Sequence, residues 1–75
     1  MNSDKVLNAT GLACPMPVVK TKKEMDQLES GQVLEIHATD KGAKSDMAAW
    51  AKTSGHELVH QAEEGDVLKF WIKKA

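Results

Sequence analysis

A single cysteine in a chain of 75 residues excludes an internal disulfide. No CxxC pair and no cysteine–histidine cluster suggests structural zinc, and His37, His56 and His60 lack metal-ligand spacing on any helix the pattern supports. No metal and no other cofactor is therefore expected. Two prolines and five glycines leave no linker, repeat or low-complexity tract. No apolar run reaches the length of a signal peptide or a membrane span, so there is no membrane segment to expect. The expected compartment is the cytoplasm, where a free thiol persists. A net charge of −1 lacks the basic excess of a nucleic-acid binder, and no aromatic surface lies on a basic face. These limits describe one compact domain over residues 1–75, expected to be monomeric and near the lower size for folding without staples.

The sole cysteine and both prolines fall in one stretch, Gly11-Leu12-Ala13-Cys14-Pro15-Met16-Pro17. A strand pattern ends just before it and a helical pattern starts inside it. Pro15 suits the first helical position, because its φ is already helical and its missing N–H would have had no partner. Cys14 then becomes the N-cap, with its sulfur at the positive end of the helix dipole, where thiolate is favoured over thiol. Pro17 removes another early N–H, leaving the amides of Met16 and Val18 as donors to an anionic sulfur. A lone cysteine is more often a small buried hydrophobe. A core cysteine, however, needs neither the flanking prolines nor the strand-to-helix junction.

Lys5 to Ala9 reads as a short strand with Leu7 and Ala9 on one face and Val6 and Asn8 on the other. Thr10 and Gly11 turn the chain, and Leu12 tucks under the cysteine loop. From Met16 to Leu28 the apolar positions Val18, Met25 and Leu28, with the stem of Thr21, have helical spacing. Lys20, Lys22 and Lys23 occupy the wet side, as a solvated face rather than a dedicated basic patch. Gly31 is expected to end this helix. Gln32 to Thr39 alternates, with Leu34, Ile36 and Ala38 facing inward. Asp40 to Lys44 reads as a polar loop, and Ser45 with Asp46 starts a second helix that buries Met47, Trp50 and Ala51 and ends at Gly55. Trp50 is its expected anchor. His56 to Glu63 and Val67 to Lys73 form a hairpin around Glu64-Gly65-Asp66. Leu68, Phe70 and Ile72 point inward, while Trp71 is expected on the open face, either exposed or lying over lysine stems.

The order βαβαββ implies a right-handed crossover and a parallel first strand pair. The fold class is α+β: a two-layer α/β sandwich, with a mixed four-stranded sheet and two helices on one face. Parallel first strands place their carboxyl ends on one edge. Cys14 and the loop Asp40-Lys41-Gly42-Ala43-Lys44 should thus be neighbours. Lys41 and Lys44 could stabilise a thiolate or persulfide and meet an anionic partner group, or could simply be solvated.

The runs Leu7-Asn8-Ala9-Thr10-Gly11-Leu12-Ala13-Cys14-Pro15-Met16-Pro17, Ala38-Thr39-Asp40 and Ala51-Lys52-Thr53-Ser54-Gly55-His56-Glu57-Leu58 resemble the TusA/SirA-like sulfur-carrier family from about Val6 to Lys73. The resemblance implies a cytoplasmic protein that accepts sulfane sulfur as a persulfide on Cys14. It implies relay of that sulfur from a donor protein, such as a cysteine desulfurase or rhodanese-like enzyme, to the thiol of an acceptor protein. In this light Gly11, Leu12, Pro15 and Pro17 support the motif, and Asp40 matches an acidic position near the cysteine and its partners. Asn8, where the family usually has aspartate, and Ala13, where it often has a basic residue, change the local charge and leave the donor, acceptor and pathway open. The competing classes are a thiol redox switch, which would want a resolving cysteine that this chain lacks, and a regulatory interaction module without sulfur transfer.

Overall fold

The computed structural model describes residues 3–13 and 16–75. The N-cap reading of Cys14 and the first-turn reading of Pro15 lie outside the described residues. The chain forms β1 (Lys5–Ala9), α1 (Met16–Met25), β2 (Val33–Ala38), α2 (Ala43–Ser54), β3 (Glu57–Glu64) and β4 (Val67–Lys73). The sheet order is β1-β2-β4-β3, with β1 parallel to β2 and the other pairs antiparallel. This is the α+β arrangement expected from the sequence.

Alternation dictates the core. Leu34, Ile36 and Ala38 of β2 and Leu68, Phe70 and Ile72 of β4 are buried on one face, against Met25 of α1 and Ala43, Met47 and Ala51 of α2. Each large side chain so buried contributes on the order of 2 kcal/mol relative to exposure. Thr21 is fully buried between the helices, which its hydroxyl can tolerate because it donates to the Pro17 carbonyl at 2.7 Å. The same oxygen lies 3.7 Å from Met47 Sδ, so the two helices meet at this point. Among the described residues no helix is long and apolar enough to cross a membrane.

Three boundaries differ from the sequence reading. α1 stops at Met25 rather than Leu28, and tighter bonds from Gln27 to Glu24 and Leu28 to Met25 close its end. Gly31, at φ 88°, shapes the turn into β2 instead of capping the helix. α2 starts at Ala43, two residues before Ser45, because the Gly42 carbonyl already accepts the Asp46 amide at 3.0 Å. Ala43 and Lys44 therefore belong to the helix rather than to a loop, and Asp46 sits in its first turn, favourably placed for the dipole. Trp50 is only half-buried and rests against His56, with ring centroids 5.3 Å apart, so Met47 rather than Trp50 anchors α2.

The open face corrects a further expectation. Trp71 is 8% exposed, not a free aromatic surface. A bulge in β3 between Leu58 and His60 brings His60 opposite Trp71, with ring centroids 4.9 Å apart. On its other side the Trp71 indole N–H donates to Glu35 Oε1 at 3.0 Å, and Ser3 donates to the same oxygen at 3.1 Å. His37 Nε2 lies 2.5 Å from Glu35 Oε2. The His37 hydrogen bond, reinforced by Ser3 and Trp71, holds the Glu35 carboxyl below its ordinary value against a smaller opposing effect of burial.

The pH dependence follows. Since the folded pKa is depressed, stabilisation by ionised Glu35 is complete above the ordinary value of 4.5 and is lost as pH falls through the lower folded value. Urea unfolding followed by tryptophan fluorescence should show a weaker acid sensitivity in Glu35→Gln than in the native chain as the pH falls below 4.5. Superimposable pH profiles would remove Glu35 from the acid response.

Candidate functional site

The site is built where β1 and β2 end. In the parallel pair Ala9 lies opposite Ala38, so the residues that follow leave the sheet side by side. After β1, Asn8 Oδ1 accepts from the Thr10 amide at 3.0 Å and from the Thr10 hydroxyl at 2.6 Å, a side-chain turn of the kind that asparagine and aspartate both make. Asn8 therefore shapes the loop as an aspartate would, without its charge. Gly11, at φ 80°, takes the left-handed conformation that the reversal requires. Its amide donates to Thr39 Oγ1 at 2.8 Å, which ties the loop after β1 to the end of β2.

Leu12 is half-buried against the core, as expected, and its amide reaches the Ala9 carbonyl at 3.3 Å. Ala13 is exposed, and its carbonyl accepts the Met16 amide at 2.9 Å. This alters the expected electrostatics, because the Met16 N–H is already engaged and was one of two amides assigned to an anionic sulfur. Pro17 is buried and supports α1 from beneath. Cys14 and Pro15, the centre of the expected site, lie outside the described residues, but both of their flanks are pinned.

The second loop approaches from β2. Asp40 is half-buried, and its carbonyl accepts the Ala43 amide at 3.0 Å. Lys41 and Lys44 are exposed and line one hollow together with Thr39, Glu63, Asp66 and Leu68. The Thr39–Gly11 bond thus brings the motif loop and the Asp40–Lys44 segment together, as the parallel topology required. Among the described residues no group of three or more histidine, cysteine, aspartate or glutamate side chains could hold a metal ion.

Three contributors escaped the sequence reading. Thr39 carries the link between the loops, and the in-register continuation of a parallel pair was the signal that could have found it. Met16 and Val19 are 42% and 50% exposed at the start of α1. With Lys20 and Lys23 they follow helical spacing along one exposed stripe. An apolar residue at position 19, on the helix's wet side, was that signal.

Replacing Thr39 by valine removes the acceptor for the Gly11 amide with little change of shape. Hydrogen exchange at Gly11 should accelerate while the core amides of β2 and β4 keep their protection. Unchanged exchange at Gly11 would show that the link does not hold the loop.

Comparisons with known proteins show the family and the fold. The family model described as sulfurtransferase TusA matches residues 5–74. YrkI of Bacillus subtilis is 69% identical over 74 residues, covering 99% of each chain. The sulfur carrier protein TusA of Allochromatium vinosum is 46% identical over 72 residues, covering 96% of this chain and 95% of its own. A crystal structure of a SirA-like protein from Desulfitobacterium hafniense superposes with a TM-score of 0.82 at 22% identity, over 92% of this chain and 95% of its own, a likeness of fold. With the family model matched along nearly its whole length, this chain belongs to the TusA family.

Proposed function

We propose that this chain is a sulfur carrier, and that Cys14 holds the sulfur as a persulfide between a donor and an acceptor protein. One observation carries the reading: the only thiol of a TusA-family chain falls between β1 and α1, at a junction pinned on both sides. In the chemistry proposed, the Cys14 thiolate attacks the outer sulfur of a donor persulfide. A new S–S bond forms at Cys14, the donor's S–S bond breaks, and the donor thiolate leaves and takes up a proton. The acceptor thiolate then attacks the outer sulfur on Cys14 in the same way. Both steps are redox-neutral, and one cysteine suffices because the partner supplies the resolving thiol. A dithiol redox switch would need a second thiol, which the sequence lacks.

The partner surface in this reading has two flanks around the motif. Met16 and Val19 offer apolar contact, bordered by Lys20 and Lys23, which suits a partner patch with an apolar centre and acidic rim. Asp40, Lys41 and Lys44 form the other flank, and the lysines favour approach of anionic sulfur. The single domain over residues 1–75 works in the cytoplasm, where the thiol stays reduced.

Two outcomes test the proposal. Cys14→Ser should fold normally yet gain no mass increment of one sulfur atom from a loaded cysteine desulfurase, as read by intact-mass spectrometry. A serine variant that still gains that increment would end the persulfide assignment. Val19→Asp, a change at an exposed position, should slow loading from the protein donor about tenfold by placing a carboxylate in a desolvated contact. An unaltered rate would move the partner surface away from α1.

A further inference from the structure

The β3 bulge affects the helix-covered side of the sheet as well as the open side. Up to Leu58, β3 presents an apolar residue to the core. Beyond the bulge its inward positions are Gln61, opposite Phe70, and Glu63, opposite Leu68. Polar side chains thus occupy positions that would otherwise extend the core, and the space between β3 and the start of α2 stays open. Two overlapping hollows occupy it, of about 160 and 460 Å³, sharing Lys44, Glu63 and Leu68.

The cleft has charge of opposite sign on its two banks. Lys41 and Lys44 approach from the Asp40 loop and α2, while Glu63 and Asp66 approach from the β3–β4 hairpin. Among the described residues none of these four forms an ion pair with another side chain, although they line one hollow. Phe70 and Leu68 provide an apolar floor. The cleft is anchored to the motif loop through Thr39, which lines it and holds the Gly11 amide. Exposed cations facing exposed carboxylates over an apolar floor complement a small molecule with both carboxylate and ammonium groups.

We propose that this cleft binds the persulfide of a zwitterionic small thiol, of amino-acid or short-peptide size, as a low-molecular-weight sulfur donor to Cys14. Lys41 and Lys44 hold its carboxylates, and Glu63 and Asp66 hold its ammonium group. The Cys14 thiolate takes the outer sulfur, forming one S–S bond as the donor's breaks, and the small thiolate leaves and is protonated. The inference rests on the sulfur-carrier reading of Cys14, so the test separates the two.

The probes are glutathione persulfide, which carries both charge types, and hydrogen disulfide, which carries neither a carboxylate nor an ammonium group. Loading is followed by intact mass in the native chain, in Lys41→Gln/Lys44→Gln and in Glu63→Gln/Asp66→Asn. Each double variant should lower the ratio of glutathione-persulfide to hydrogen-disulfide loading rates by about fivefold, the loss of two solvated charge contacts. Titration with unreactive S-methylglutathione should shift the amide resonances of Thr39, Lys44, Gln61 and Glu63 in the native chain. An unchanged ratio in both variants, or shifts confined to other surfaces, overturns the cleft assignment while leaving Cys14 as a carrier. Loading from hydrogen disulfide but not from glutathione persulfide does the same. Failure of the native chain to load from either probe or from a protein donor overturns the carrier reading and this inference with it.

Discussion

The in-register parallel pairing of β1 with β2 is the constraint on which the site depends. Ala9 and Ala38 are both fully buried and directly opposite, so their strands end at the same level. Thr39, the next residue of β2's chain, is then within reach of Gly11, three positions before Cys14 in the sequence. Sliding either strand by one residue would turn Leu7, Leu34 and Ile36 away from the helices, and a slip of two would part Thr39 from Gly11. Burial of the inward row therefore fixes the register, and the register fixes which loops meet. The link between packing and function is this direct because the site lies one residue beyond the core.

A second constraint keeps the flanks of that edge in place. Thr21 and Met47 touch at the centre of the helix layer, where an unsatisfied hydroxyl would be costly and the Pro17 carbonyl removes the cost. The start of α1, with its exposed Met16 and Val19, and the start of α2, with Lys44, are thus held on one rigid layer above the sheet. Among its described residues the motif loop packs Leu12 against the core and is held by polar bonds: Thr10 to Asn8, Gly11 to Thr39 and Met16 to Ala13.

Period-two alternation made β1, β2 and β4 legible in the sequence, because each has an apolar row that only one face can satisfy, and β3 was legible from the hairpin turn at Glu64-Gly65-Asp66. The meeting of the two loops was legible from topology alone. Helix boundaries were less so. Ser45 and Asp46 carry good capping chemistry, yet the chain gains an earlier turn by burying Ala43, and the backbone of Gly42 serves as cap. Tertiary burial outweighed a local preference of about 1 kcal/mol. Trp71 was assigned to the correct face but given the wrong environment. Alternation states where a side chain points, whereas its cover depends on Glu35, two strand-pair positions from any turn signal, and on a bulge that no period announces.

That bulge is where the two faces of the sheet become coupled. With Leu58 opposite Ile72 and His60 opposite Trp71, Val59 is the added residue of β3. Were Val59 paired as an ordinary strand residue instead of bulged, the alternation after Leu58 would reverse: His60 would turn toward the helices, and Gln61 and Glu63 would turn to the open side. Trp71 would lose one of its covers, and the cleft beside Lys44 would lose the Glu63 carboxylate at the same step. One bulge thus serves two requirements, covering an aromatic ring on one face and keeping water-accessible space beside Thr39 on the other. Bulges are commonly found where a strand must re-aim its side chains near a site. Here the re-aiming places acidic and amide groups beneath α2, where strict alternation would have placed His60 and Ala62.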